Sequence, residues 1–388
     1  MTDDAGRRVV ASHAIARRAF RLAGFFGAVA VLWALWVLLR GGSWWGPVHA
    51  FLAGTVLCAI AGASQMFTVT WSAAPAPPAT STTAQRLALA GGTGCVLVGV
   101  TAGLRALTWV GGALLVASLA LLAWSIRRTI SRSLLRRFDL SSRFYLLAFA
   151  CGAVGVTLGA VLGTGAAGAG FWRVRLVHSH LNLVGLVGFT IVGTLPTFLP
   201  TLAHHRAVSG REAKAAWWLV VGSAAGMASG LWLGDAAVAT GTMLAGVAAL
   251  AMAGGIALRL WDKGRDRLPF VQVTAGVGWL AAWALADGLR LLGGVPPAPF
   301  GAATLVAVVA GVGQVLLGSL AYLVPVLAGP PLEPKFRRMS RRPAIPLAAA
   351  NLAAVAALAG AEPVVALLVA LWVADFALRL AGLRSVSA

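Results

Sequence analysis

The chain has 388 residues, of which 59% are hydrophobic and 11% charged, with a formal net charge of +20. Soluble domains carry roughly 25% charged residues, so this balance excludes a soluble enzyme and identifies an integral membrane protein. The arginines cluster in short segments between apolar runs, which reads as topology signals and lipid-headgroup contacts; no nucleic-acid partner is expected.

In chain order, residues 1–21 form a basic N-terminus expected on the cytoplasmic side. The apolar run after it is too long for a typical signal-peptide core, and no cleavage is expected. A bilayer core of about 30 Å needs roughly 20 apolar residues per helix. On that basis twelve spans are expected, near 22–39, 48–70, 87–104, 107–126, 144–163, 176–199, 215–233, 237–258, 271–292, 300–327, 344–360 and 363–380. A tail, 381–388, follows, and a single polytopic membrane domain covers 22–380. The longer loops, around 71–86 and 328–343, read as linkers. Cys58, Cys95 and Cys151 are scattered through apolar runs and form no disulfide framework or C-x-x-C pair.

Alternate loops differ sharply in charge. All but Arg40, Arg105, Arg173, Arg175 and Arg290 of the 31 lysines and arginines fall on one side. The positive-inside rule then makes both termini cytoplasmic; the expected location is the cytoplasmic (inner) membrane.

Two segments repeat. "VGTLPTFLPTLA" (Val192–Ala203) and "LGSLAYLVPVLA" (Leu317–Ala328) share Gly, a small hydroxyl residue, Leu, Pro and a final Leu-Ala at a constant offset of 125 residues. That offset spans four helices. "GASQMFTVTW" (Gly62–Trp71) is a looser third copy. A four-helix unit used three times would place the second, sixth and tenth spans in equivalent positions.

Polar side chains at membrane depth are functional candidates, because burying them without a partner is costly. His49 begins the second span; His178 and His180 begin the sixth, at the same outer depth. Neutral imidazole ligates transition metals and haem iron. Residues two apart lie about 200° apart around an α-helix, so His178 and His180 do not easily grip one ion. His178 shares its face with Asn182, Gly185 and Phe189 and is expected to point inward. Arg173 and Arg175 stand where basic residues are scarce and suit an anion such as a haem propionate. Gln65, Asn182 and Gln314 are candidate supporting residues. The alternative is an interfacial belt of His, Arg and Trp172 facing water and headgroups. His204 and His205 are expected to be solvated. Asp287–Arg290 and Asp375–Arg379 have the spacing of local ion pairs.

Twelve spans, cytoplasmic termini, a four-helix repeat and outer histidines on spans two and six resemble the haem–copper oxidase catalytic-subunit superfamily. The nearer likeness is to its NnrS-like and actinobacterial "copper oxidase" membrane relatives. "VHSHLNLVGLVGFTIVGTLPTFLP" (Val177–Pro200), "PVHAFLAGTVLCAIAGASQMF" (Pro47–Phe67) and "GQVLLGSLAYLVPV" (Gly313–Val326) carry the resemblance, over about a fifth of the chain. It implies haem and/or copper held by His49, His178 and His180, a redox partner protein, and a role in nitric oxide or copper stress handling. The departures are specific. The tenth span has no histidine, the seventh no His-His pair, and Asn182 and Val184 occupy the fourth positions after the two histidines. Cys58 stands where close relatives would have a second histidine. An oxygen-reducing binuclear centre is therefore not expected; if the chain is an enzyme, it is a membrane oxidoreductase. A transporter, with helix six broken at Pro196 and Pro200, and a non-catalytic scaffold are the competing classes.

Overall fold

The computed structural model describes residues 2–133, 139–205, 210–295 and 301–384. Arg136, Arg137 and Arg206 from the charge count, Phe300 at the start of the tenth expected span, and residues 385–388 of the tail lie outside the described residues. Among the described residues every regular element is helical. The helices are α1 (Thr2–Arg40), α2 (Trp45–Ser72), α3 (Ala79–Thr101), α4 (Arg105–Ser131), α5 (Asp139–Gly163), α6 (Gly168–Leu202) and α7 (Gly210–Leu233). They continue as α8 (Asp235–Gly264), α9 (Leu268–Leu292), α10 (Ala302–Ala328), α11 (Leu332–Ser340), α12 (Ala344–Leu358) and α13 (Glu362–Arg384).

Ten of these are long and apolar enough to cross a membrane, which makes this a multi-pass helical membrane protein. Outside the ten are α3, α11 and α12. The first turns of α3 carry the polar run Thr80–Arg86, which dilutes its hydropathy. The 15 residues of α12 reach only about 22 Å. The basic N-terminus runs as helix into the first span in α1. Two local expectations need revision. The segment expected to be a linker at 328–343 contains the amphipathic α11, and the one at 71–86 already enters α3 at Ala79. Pro196 and Pro200 lie inside α6, which continues past both to Leu202.

Basic side chains fix α11. Lys335 Nζ donates to the carbonyls of Ala328, Gly329 and Pro330 at 3.4, 2.8 and 3.3 Å. The first is the last carbonyl of α10, one of the four at a helix end without an intrahelical partner. Arg379 pairs with Asp375 and also donates to the carbonyls of Met339 and Arg341 at 2.7 and 2.6 Å. The ion pair read as local is thus half of a tertiary anchor.

Three helices contain π-helical turns, Ala50–Val56 in α2, Leu181–Gly188 in α6 and Val306–Gly313 in α10. π-Helix accounts for well under about 1% of residues and gathers at functional positions. The second and third segments are offset by 125 residues at both ends, the spacing of the sequence repeat. His49 and His180 each immediately precede a π segment.

The chain divides into two compact units, Met1–Gly193 with Val221–Gly241, and Thr194–Val220 with Thr242–Ala388. In the first unit small residues let helices approach closely, as packing without a hydrophobic drive requires. Gly54 and Gly62 of α2 face Phe26 and Ala19 of α1. Gly152, Gly155 and Gly159 of α5 face Leu186, Asn182 and His178 of α6. In the second unit, Gly276 of α9 meets Gly311 of α10. Shifting that pair back 125 residues gives 151 and 186, within one residue of the Cys151–Gly185 contact between α5 and α6.

Candidate functional site

His49 and His178 meet in the first unit. Their ring centroids are 6.4 Å apart and the planes differ by only 13°. His49 closes the first regular turns of α2, where its ring also stacks on Trp45 at 4.3 Å. Its Nδ1 lies 2.7 Å from the Trp45 carbonyl oxygen. A carbonyl only accepts, so Nδ1 carries the proton of the neutral ring.

His178 projects from α6 onto the glycine row of α5. Its Nδ1 lies 2.7 Å from the carbonyl oxygen of Gly155. That approach depends on the missing side chain at Gly159, where a Cβ would sit 2.7 Å from His178 Cε1. Asn182 Nδ2 lies 3.3 Å from the same Nδ1, but with Nδ1 protonated its hydrogen bond is the one it donates to the His178 carbonyl at 2.9 Å. Asn182 also packs on Gly155 and so props the imidazole from one turn below.

Both rings therefore have the same tautomer, with Nε2 unprotonated. No hydrogen bond reaches Nε2 of either residue among the described residues. An Nδ1–H held by a carbonyl is the usual way a protein orients a histidine whose Nε2 binds a metal.

The reading that favours His178 over His180 as the inward group is revised, because both turn inward. His180 is buried, at 3% exposure, while His178 is half-buried. The helical-wheel argument assumed one interior face, but α6 is packed on more than one side. Val177 contacts Gly230 of α7, and Gly185 approaches both Cys151 of α5 and Met227 of α7. His180 Nδ1 donates to the Leu176 carbonyl at 2.8 Å, so this ring too is fixed by its own helix.

The remaining candidates divide. The Arg175 guanidinium lies 5.2 Å from the Trp172 ring centre, one turn before His178. Arg173 is exposed. Gln65 is buried in α2, 16 residues beyond His49 and therefore about 24 Å along the helix, too far to support that imidazole. Gln314 belongs to the second unit. It lies 3.4 Å from Asn351 Oδ1, which also accepts from Trp279 Nε1 at 2.6 Å. This triad ties α9, α10 and α12.

Sequence reasoning missed one feature. His204 is exposed, as expected, but it also packs edge-on against Tyr322 and Phe336 at 6.3 and 5.7 Å, beside a cavity of about 600 Å³. Its left-handed backbone, φ +52°, turns the chain back at the end of α6. The "PTLAHH" string gives no hint of those partners, because both come from more than a hundred residues away.

Among the described residues no three His, Cys, Asp or Glu side chains converge as a metal site. The histidine pair is a two-donor arrangement. No protein-family model matches the chain, and no curated protein matches it in sequence.

Proposed function

We propose that the protein holds haem iron or copper between His49 of α2 and His178 of α6, near the outer face of the cytoplasmic membrane. The observation that carries this reading is the pair itself, two near-parallel imidazoles from different helices with Nδ1 committed to a carbonyl in each.

Two protein donors restrict the group they fit. A structural zinc site needs four ligands. Haem supplies four nitrogens itself and takes two axial side chains, and imidazole nitrogens also suit copper. Either group would be held by His49 and His178 through Nε2, the ring nitrogen each leaves free of a carbonyl. When bound, either group supplies one-electron redox chemistry. The chain's own part is to fix the tautomers through the Trp45 and Gly155 carbonyls and to seat His178 against the α5 glycines. Arg175 would offer a guanidinium to an anionic substituent such as a propionate, with Arg173 further out.

The wider architecture fits the same reading. The 125-residue offset shared by sequence, π segments and helix pairing supports a repeated four-helix unit that relates α5–α6 to α9–α10; a third copy, twelve spans and cytoplasmic termini rest on the sequence. Shifting His178 and His180 by 125 gives Ala303 and Leu305, so the third unit lacks donors and one centre is expected. This suits an oxidase-like bundle reduced to a redox or nitric-oxide/copper stress role, electrons passing to or from a redox partner protein. The test is an absorption spectrum and metal analysis of detergent-purified protein beside the His49→Ala/His178→Ala double variant. A Soret band, or stoichiometric copper without one, should be present in the first and lost in the second. Neither group in the wild type, or equal amounts in both proteins, defeats the assignment.

A further inference from the structure

A second polar site lies at the other end of the first unit, and it faces a different chemistry. The close contacts set the levels. Gly62 of α2 lies against Ala19 of α1, so two residues along, Arg21 stands opposite Ile60. Thr93 Oγ1 of α3 donates to the Ala53 carbonyl of α2 at 3.1 Å. Seven residues further down these antiparallel helices, Arg86 also stands opposite Ile60. Arg18 is one turn below Arg21, and α1 touches α3 directly. The three arginines therefore stand within one helical turn of the same level. That level is where the apolar stretches of α1 and α3 begin, at Leu22 and Leu87, and hence where a bilayer places its phosphates.

None of the three has an acidic partner among the described side chains. Arg18 and Arg21 are exposed, and Arg86 is half-buried. Arg86 Nη2 donates to Thr83 Oγ1 at 3.1 Å, while Nη1 is buried without a hydrogen-bond partner. Burial, then the charges of Arg18 and Arg21, push the Arg86 pKa down. Three like charges and an unsatisfied buried donor are costly together, and an anion between them would relieve both penalties. Planar guanidiniums match the paired oxygens of a phosphate.

We propose that Arg18, Arg21 and Arg86 form a binding site for a phosphate group, carried by an anionic phospholipid or free in the cytoplasm. The test uses the full chain purified in detergent, with native mass spectrometry after exposure to phosphatidylglycerol or phosphatidylcholine, and equilibrium dialysis against inorganic phosphate. Wild type retaining phosphatidylglycerol over phosphatidylcholine, with a loss of at least about tenfold in Arg18→Gln/Arg21→Gln, assigns the site to a lipid headgroup. Saturable uptake of inorganic phosphate, lost in the same variant, assigns it to the free ion. Both positions are exposed, so the variant is expected to fold; Arg86→Gln provides the second reading. Equal retention of the two lipids without phosphate uptake, or binding unchanged in both variants, overturns the proposal.

Discussion

Replacing Gly159 by alanine tests how the histidine pair is built without touching either histidine. The new Cβ would lie 2.7 Å from His178 Cε1 and 3.0 Å from Nδ1, where ordinary contact begins at 3.4 Å. The ring must retreat by about 0.7 Å, which stretches its 2.7 Å hydrogen bond to Gly155 past the useful limit of about 3.2 Å. Folding should notice little. Alanine favours the helix by about 1 kcal/mol over glycine, and overpacking costs about 1–3 kcal/mol. Metal binding should notice more, because losing the partner that orients a ligating histidine costs about 10–100-fold in affinity. The assay is competition for cuprous ion against a chromophoric chelator, or haemin titration, with thermal unfolding alongside. Gly24→Ala, where the Cβ meets nothing within 4 Å, is the control. Affinity unchanged in Gly159→Ala while the protein stays folded would refute the role given to the α5 glycine row.

Three further outcomes are expected. His180→Ala should keep the bound group, since the two-donor account does not use it, and a spectrum lost in that variant would require a three-histidine site. Asn351→Leu leaves Trp279 Nε1 and Gln314 without their shared acceptor; unfolding in mixed micelles should show a loss of about 1–3 kcal/mol with metal content unchanged. The His204 pKa is lowered from 6.5 by burial and by Arg267, against a raising effect of Glu333. Its reaction with a neutral-imidazole reagent should therefore persist below pH 6.5. The midpoint should rise in Arg267→Gln and fall in Glu333→Gln, and shifts of the opposite sign would contradict the packing described. Because the folded pKa is the lower one, the contribution of His204 to stability is present above pH 6.5 and declines as pH falls towards the folded value.

Much of the architecture was legible because lipid imposes a simple rule. A spanning segment must be long, apolar and helical, so composition alone located the ten membrane-length helices. α3 and α12 departed from that rule for opposite reasons, one through its polar first turns and the other through its 15 residues. The 125-residue spacing was also legible in the sequence, and Pro200 and Pro325 both lie in the last turn of a helix, α6 and α10, at that offset. The π turns that share this offset left no readable signal. A widened turn depends on i→i+5 bonding and neighbouring packing, and glycines such as Gly54, Gly185 and Gly311 permit it without demanding it. The facing of His178 and His180 was only half legible for a related reason. Periodicity predicts one buried face, whereas α6 is flanked by α5 on one side and α7 on another, which buries His180 as well. Gln65 drew attention by its polarity at membrane depth, which does not fix its height along the helix, and 16 residues of rise separate it from His49.

The central claim is that imidazoles from α2 and α6 are the two protein ligands of one centre. X-ray absorption fine structure at the iron or copper edge of the purified protein counts those ligands directly. The account predicts two imidazoles about 2.0 Å from the metal, and one in either His49→Ala or His178→Ala protein that still retains metal. A metal shell without imidazole, or one unchanged in both variants, would contradict it.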